Sequence, residues 1–419
     1  MIEPGDIVLS DYLEAGDGVW WTQTGAEPTP LVDALLDQVA DIGPVTAFVG
    51  MTYNHRLTHE PPAQLSVQSY GALGGLRALS RAGRLQVIRG EYSALPGMFA
   101  SGKLPHDVGF VQVSPADENG LHSLGIGVDY AADAVAHTPL LIAEINHRMP
   151  ATVGTPGIPH ERFAAVIETD RPLIHAPAAT ASEVDRAIAG HVAGLIEDGD
   201  TIQIGVGALP DAVLAQLDDR RALGVHSGLV SDQIIRLMQA GVITGERKEL
   251  GRGLTVTGSA FGTELLYDEL AGLPIEFRPA SYTHDPHVLA RLSSLVSINS
   301  AIEVDLAGNV NAETRRGHYI GARGGHGDFS RAASATGRLS IIALRSQSRS
   351  HSGVHSTIVP RVETLTTAGT AVDVVVTEHG IADIRDCDRA ERARRLATIA
   401  APAFREELER AAHAVEVAA

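Results

Sequence analysis

The feature that most limits the fold of this chain is a series of short apolar runs that do not alternate with polar residues. They cover residues 45–49, 85–89, 108–113, 140–145, 201–205, 254–257, 295–299, 339–344 and 372–377. A run of this length that is apolar on both faces suits a strand covered on both sides, which is the condition of a parallel sheet. Segments with helical apolar spacing lie between the runs, at 30–40, 181–197, 210–217 and 389–399. Strand and helix in alternation predict an α/β fold of largely parallel sheets flanked by helices. Composition supports this: 44% of residues are hydrophobic but only 4% aromatic, so the cores are built from small, close-packing side chains. A length of 419 residues allows two or three domains.

A diverged internal repeat narrows the architecture. LEAGDGVWWTQTGAEPTPLVDALL, from Leu13, resembles LIEDGDTIQIGVGALPDAVLAQL, from Leu195, with Gly16-Asp17 matching Gly199-Asp200. Each reads as a helix end, a Gly-Asp turn, a strand, a Gly/Pro loop and a helix. VGFVQVSPADENGLHS from Val108 then resembles LVSINSAIEVDLAGNVNAE from Leu295, and LLIAEIN, ending at Asn146, resembles VVVTEHG, ending at Gly380. The expectation is two similar α/β domains, 1–180 and 181–419, with a ligand site at their seam.

Several function classes are disfavoured. A formal charge of −18 lacks the cationic footprint of a nucleic-acid binder. Cys387 is the sole cysteine, so neither an intrachain disulfide nor a cysteine metal site is expected. No apolar stretch reaches membrane-spanning length, and the start carries no leader pattern, so a cytoplasmic protein is expected. His55 and His59, and His351 and His355, share i, i+4 spacing without the glutamate of a zinc-protease motif, so no metal is expected.

Three segments have the composition of a site. Gly205-Val206-Gly207-Ala208-Leu209-Pro210 follows a strand and opens a helix, where small residues let a ligand approach backbone N–H groups. It is not a dinucleotide-binding GxGxxG. Gly321-Ala322-Arg323-Gly324-Gly325-His326-Gly327 is the densest glycine cluster, and Arg323 could meet a phosphate or carboxylate. Gly224-Val225-His226-Ser227-Gly228 precedes Asp232, but no nucleophile elbow is present and spacing alone makes no Ser/His/Asp triad.

Taken together, FVQVSPADENGLHSLGIGVDY, IGVGALPDAVL, GVHSGLVSDQIIRLMQAG, VTGSAFGTELLYD, VSINSAIEVDLAGNVNAE, GARGGHGDF and VDVVVTEHGIADIR resemble the acetyl-CoA hydrolase/transferase family, which includes 4-hydroxybutyrate and acetate CoA-transferases. The resemblance implies two tandem CoA-transferase-like domains with the active site between them. It also implies a glutamate that attacks the acyl-CoA thioester, forms an acyl-glutamyl anhydride and then carries CoA as a glutamyl thioester. Coenzyme A is then substrate and product, not a resident cofactor, and a small carboxylate is the second partner. A homo-oligomer, commonly a dimer, is implied. By motif, backbone donors to the oxyanion fall at Val206 and Gly324, beside Gly207, Arg323 and Gly325 in the CoA-binding loops.

The chain departs from that pattern. Gly228 stands where the resemblance implies the nucleophilic glutamate, His326 where it implies glutamine, His379 where it implies tyrosine, and Asp386 where it implies glycine. The remaining candidates are Glu378, in the block similar to the family's TEYG, with Glu144 as its counterpart in the first repeat and Glu303 as a supporting residue. The leading expectation is acyl-CoA hydrolysis by water, with Glu378, His326 or His226 as base. Hydrolytic cleavage of a β-keto acyl-CoA is a related form. A transferase using another carboxylate, and a non-catalytic acyl-CoA-binding subunit, are the alternatives.

Overall fold

A computed structural model describes residues 3, 5–177, 179–336, 338–350 and 353–417. Two large sheets organise it. The first contains β1 (Gly18–Trp21), β2 (Val45–Phe48), β3 (Leu65–Ser69), β4 (Leu85–Val87), β5 (Val108–Val113), β6 (Leu140–Asn146) and β7 (Phe163–Thr169). Their spatial order is 4-3-2-1-5-6-7, and every pairing is parallel.

The second contains β8 (Thr201–Ile204), β9 (Gly224–Val230), β10 (Thr255–Ala260), β11 (Ile275–Phe277), β12 (Leu295–Ser300), β13 (Leu339–Ala343), β14 (Val374–Thr377) and β15 (Gly380–Asp383). The order is 11-10-9-8-12-13-14-15, parallel throughout except for the terminal β14–β15 hairpin. The α/β expectation holds, and the second sheet repeats the strand order of the first with one antiparallel strand added.

The topology corrects one repeat match. LLIAEIN forms β6, whose counterpart in the second sheet is β13; VVVT forms β14, the counterpart of β7. Glu144 and Glu378 therefore do not occupy equivalent places. Buried parallel strands are all apolar on both faces, so apolarity does not tell one such strand from its neighbour.

One apolar cluster runs through both halves. It joins Trp20, Phe48, Phe99 and Tyr130 of the first to Ile202, Val225, Tyr267 and Val296 of the second. Backbone pairing crosses the same seam: Phe277 N–H donates to the Val153 carbonyl at 2.7 Å, and Ala260 N–H to the Ile126 carbonyl at 3.0 Å. Among the described residues no helix is long and apolar enough to cross a membrane.

Candidate active site

From β8 the chain runs outward through β9, β10 and β11, then returns to β12 on the other side of β8. In open α/β sheets the crevice beyond the strand ends at such a reversal is where ligands bind. The loop 205–207 leaves β8 at that point. Gly207 sits at φ +122°, a conformation other residues rarely adopt, and a Cβ on Gly205 or Gly207 would meet no heavy atom within 4 Å. Val206 between them is half-buried.

Gly228 lies in β9, the neighbour of β8, and Ser227 Oγ just before it donates to the Ile204 carbonyl at 3.0 Å. The space in front of Gly228 is filled from elsewhere in the chain. A Cβ built there would come within 2.9 Å of His284 Cε1 and 3.1 Å of His284 Nε2. A Cβ on Gly325 would come within 2.6 Å of Cδ2 and Nε2 of the same ring. One imidazole thus occupies the ground before two glycines that the sequence placed in separate motifs.

His284 follows the short helix Ala280–Thr283. Its ring lies against Tyr92 from the first half, with centroids 4.6 Å apart, and edge-on to Phe329 at 4.9 Å. Nδ1 is 2.9 Å from Thr283 Oγ1, whose hydroxyl also donates to the Pro279 carbonyl at 3.3 Å. A hydroxyl has one proton. When that proton goes to the carbonyl, the oxygen accepts from Nδ1–H, and Nε2 carries the lone pair. Burial, with the nearby His226 adding to it, depresses the His284 pKa to about 3, so the ring is neutral at physiological pH.

The other candidate bases are engaged differently. His226, on the same face of β9 as Gly228, donates from Nε2 to the Thr283 carbonyl at 3.1 Å. Its Nδ1 is buried with no hydrogen-bond partner. Burial and the Lys248 ammonium lower its pKa to about 3. His226 thereby fixes the residue that carries the His284 contact. His326 opens the helix His326–Ala335, with Nδ1 2.8 Å from Thr367 Oγ1 and Nε2 buried without a partner. Burial lowers its pKa to about 4.

The glycine-rich loop is pinned by the first half. Ala72 N–H donates to the Gly321 carbonyl at 2.8 Å and Tyr92 N–H to the Gly324 carbonyl at 3.1 Å. Ser93 Oγ donates to Asp328 at 2.7 Å. Gly324 sits at φ +51° with no heavy atom within 4 Å of its Cβ position. Arg323 is not a free cation: it reaches Glu91 at 3.3 Å, Glu313 at 3.1 Å and the Leu365 carbonyl at 2.7 Å. These bonds tie the loop to both halves, and a phosphate would have to compete with two carboxylates for the same guanidinium.

A second wall comes from Asp129 of the first half. Its Oδ2 accepts from Ser259 Oγ at 2.5 Å and Gln23 Nε2 at 2.7 Å. A Cβ on Gly258 would lie 3.2 Å from Asp129 Cβ and 3.1 Å from the Gly228 carbonyl oxygen. Burial raises the Asp129 pKa, offset in part by those two hydrogen bonds.

Glu378 is not part of this cluster. Four strand spacings separate β14 from β9, or about 19 Å at the usual inter-strand distance of ~4.8 Å. Its carboxylate accepts from Ser346 N–H at 2.8 Å and Ser346 Oγ at 2.6 Å. Glu144 is bound by Arg171 at 2.6 Å and Thr169 at 2.7 Å. Glu303 lines a separate surface cavity of about 330 Å³ with Arg315 and Phe404. A second cavity, of about 470 Å³ between His147 and Tyr267, also lies apart from Gly228.

Among the described residues no group of three or more His, Cys, Asp or Glu side chains is placed to hold a metal ion. His55 and His59 stack with centroids 3.8 Å apart. His351 lies outside the described residues.

Two doubly wound sheets meeting over glycine-lined loops define a protein of the CoA-transferase class, and the sequence comparisons agree. The acetyl-CoA hydrolase/transferase N-terminal domain matches residues 9–172 and the corresponding C-terminal domain residues 262–412. The chain belongs to the acetyl-CoA hydrolase/transferase family. It is 37% identical over 340 residues to the 4-hydroxybutyrate coenzyme A transferase of Clostridium kluyveri, covering 80% of this chain and 79% of that one. It is 24% identical over 333 residues to an acetyl-CoA hydrolase of Neurospora crassa, covering 69% and 62%. Its structure is similar to that of RipA from Yersinia pestis, with a TM-score of 0.91 and 32% identity over 98% of this chain and 96% of the other.

Proposed function

We propose that this enzyme hydrolyses an acyl-CoA thioester by direct attack of water, at the seam between units 1–180 and 181–419. The observation that carries this reading is the pairing of Gly228 with His284. A glycine cannot form an anhydride or a glutamyl thioester, and an imidazole fills the volume a side chain at 228 would need. In this reading the acyl-CoA lies across the loop 205–207 and Gly324. The N–H groups of Val206 and Gly324 receive the oxyanion, and the loop glycines admit the thioester.

A transferase reading is favoured by one observation: a relative at 37% identity is a CoA transferase. It would require another carboxylate at the seam, where Asp129 and Asp328 are both buried. The test is to incubate the enzyme with acetyl-CoA with and without a carboxylate acceptor and to follow free thiol and acceptor-CoA. Thiol release that needs no acceptor supports hydrolysis; CoA appearing on the acceptor without free thiol overturns it.

A further inference from the structure

We infer that His284 is the general base of this site, taking the place that Gly228 leaves without a carboxylate. The inference rests on the hydrolytic reading above and deepens it. Three independent features converge on this ring. Its Nε2 lies 3.1 Å from the Cβ position of Gly228 and 2.6 Å from that of Gly325, so two glycines from different elements are shaped around it. Its Nδ1 is held by Thr283 Oγ1, and the Thr283 carbonyl is held in turn by His226 Nε2, which fixes the ring's orientation; with the Thr283 proton on the Pro279 carbonyl, Nδ1 is the donor and Nε2 carries the lone pair. Tyr92 packs on the ring from the opposite half, placing the imidazole at the junction where the glycine-rich loop is pinned.

The step balances without a further reactant. Nε2 takes a proton from water as the water oxygen bonds to the thioester carbonyl carbon. The tetrahedral oxyanion collapses, the C–S bond breaks, and the imidazolium returns the proton to the departing thiolate. The products are the carboxylic acid and free CoA. His226 and Thr283 act as positioning residues, since neither needs to touch the reacting atoms.

The experiment compares wild type, His284→Gln and Gly228→Ala. It measures thiol release from acetyl-CoA, binding of a non-hydrolysable thioether analogue, and thermal midpoint. The expected result is at least about tenfold lower kcat for His284→Gln, since a ring held near pKa 3 is a weak base at neutral pH, with analogue affinity within about threefold of wild type. Gly228→Ala leaves the histidine in the chain but sets a methyl 2.9 Å from its ring, which must then shift. A kcat at least about tenfold lower with KM little changed is expected, because a displaced base loses its alignment. If His284→Gln fails to fold, Gly228→Ala decides the matter, and an unchanged kcat there overturns the inference. A wild type that hydrolyses acetyl-CoA while His284→Gln stays within threefold of it overturns the role of His284 and leaves the hydrolytic reading standing. A parallel loss of analogue binding and kcat in His284→Gln marks a packing residue and overturns it as well. A wild type that only moves CoA to an acceptor removes the hydrolytic reading itself.

Discussion

Gln23 and Val206 occupy matching places, each two residues beyond the end of the central strand of its sheet, β1 and β8. The first is fully engaged. Gln23 donates to Tyr92 and Asp129 and accepts from Tyr70 and the Met51 N–H, inside a cluster of Trp20, Phe48 and Tyr130. The second is flanked by Gly205 and Gly207, whose Cβ positions meet nothing within 4 Å. One topology has thus been used twice, once closed by a bonded polar network and once left with small residues at the surface of a crevice. Fold topology supplies the place for a site in both halves; the side chains decide which half uses it.

The sharpest way to break this comparison is to open the closed end. Gln23→Ala leaves the Asp129 carboxylate and two tyrosine hydroxyls short of partners in a buried setting. It should cost about 3–5 kcal/mol of unfolding free energy by chemical denaturation. Val206→Ala at the matching place should cost under about 1 kcal/mol, because the side chain is only half-buried. Equal losses at the two places would dissolve the contrast.

A second prediction concerns the carboxylate beside that network. Glu27 is fully buried, and its side-chain oxygens make no well-formed hydrogen bond, although Thr52 and Trp21 lie near enough to favour the charged form in part. Burial raises its pKa to about 7, with Thr52 and Arg171 offsetting only part of the effect. The folded state therefore binds a proton at higher pH than the unfolded chain. Wild-type stability attributable to Glu27 is lowest above pH 7 and is regained as pH falls toward 4.5. Relative to Glu27→Gln, wild type should gain about 2–3 kcal/mol between pH 8 and pH 5, at ~1.4 kcal/mol per pKa unit. A pH-independent difference would show that Glu27 is not carrying a buried charge at pH 8.

A smaller effect than those at Gln23 and Glu27 is expected at Glu378. Its bonds to Ser346 fix a turn at the far side of the sheet. Glu378→Gln should cost about 1–2 kcal/mol of stability and leave kcat within threefold. A hundredfold loss of kcat would extend the site across four strands and contradict the placement given above.

Much of the fold is legible in the sequence because parallel strands buried on both faces are visible as apolar runs. Several strands fall outside those runs, β3 and β11 among them, and two others show why. β7 is half-exposed along its length, so it lacks a continuous run. β9 carries His226, Ser227 and Gly228, polar or side-chain-less residues that break the apolar run of a largely buried strand. The glycine loops at 205–207 and 321–327 were visible from density alone. His284 was not, because it sits in no motif and reaches Gly228 only through the fold, 56 positions along the chain. The signal that could have exposed it is the glycine itself: a side chain missing from a buried strand leaves a volume that another residue must fill. The partners of Arg323 were equally hidden, since Glu91 comes from the other half. At Gly324, φ +51° means that any side chain strains the backbone, so a substitution there would lower activity whether or not CoA binds beside it.

The central claim is that catalysis proceeds without a carboxylate attached to CoA. Intact-mass spectrometry of the unmodified enzyme during turnover of acetyl-CoA tests it most directly. The account predicts steady thiol release with no protein species heavier by one CoA, and no borohydride-trapped glutamate. A CoA adduct on any glutamate or aspartate, formed and consumed at the rate of turnover, would contradict it.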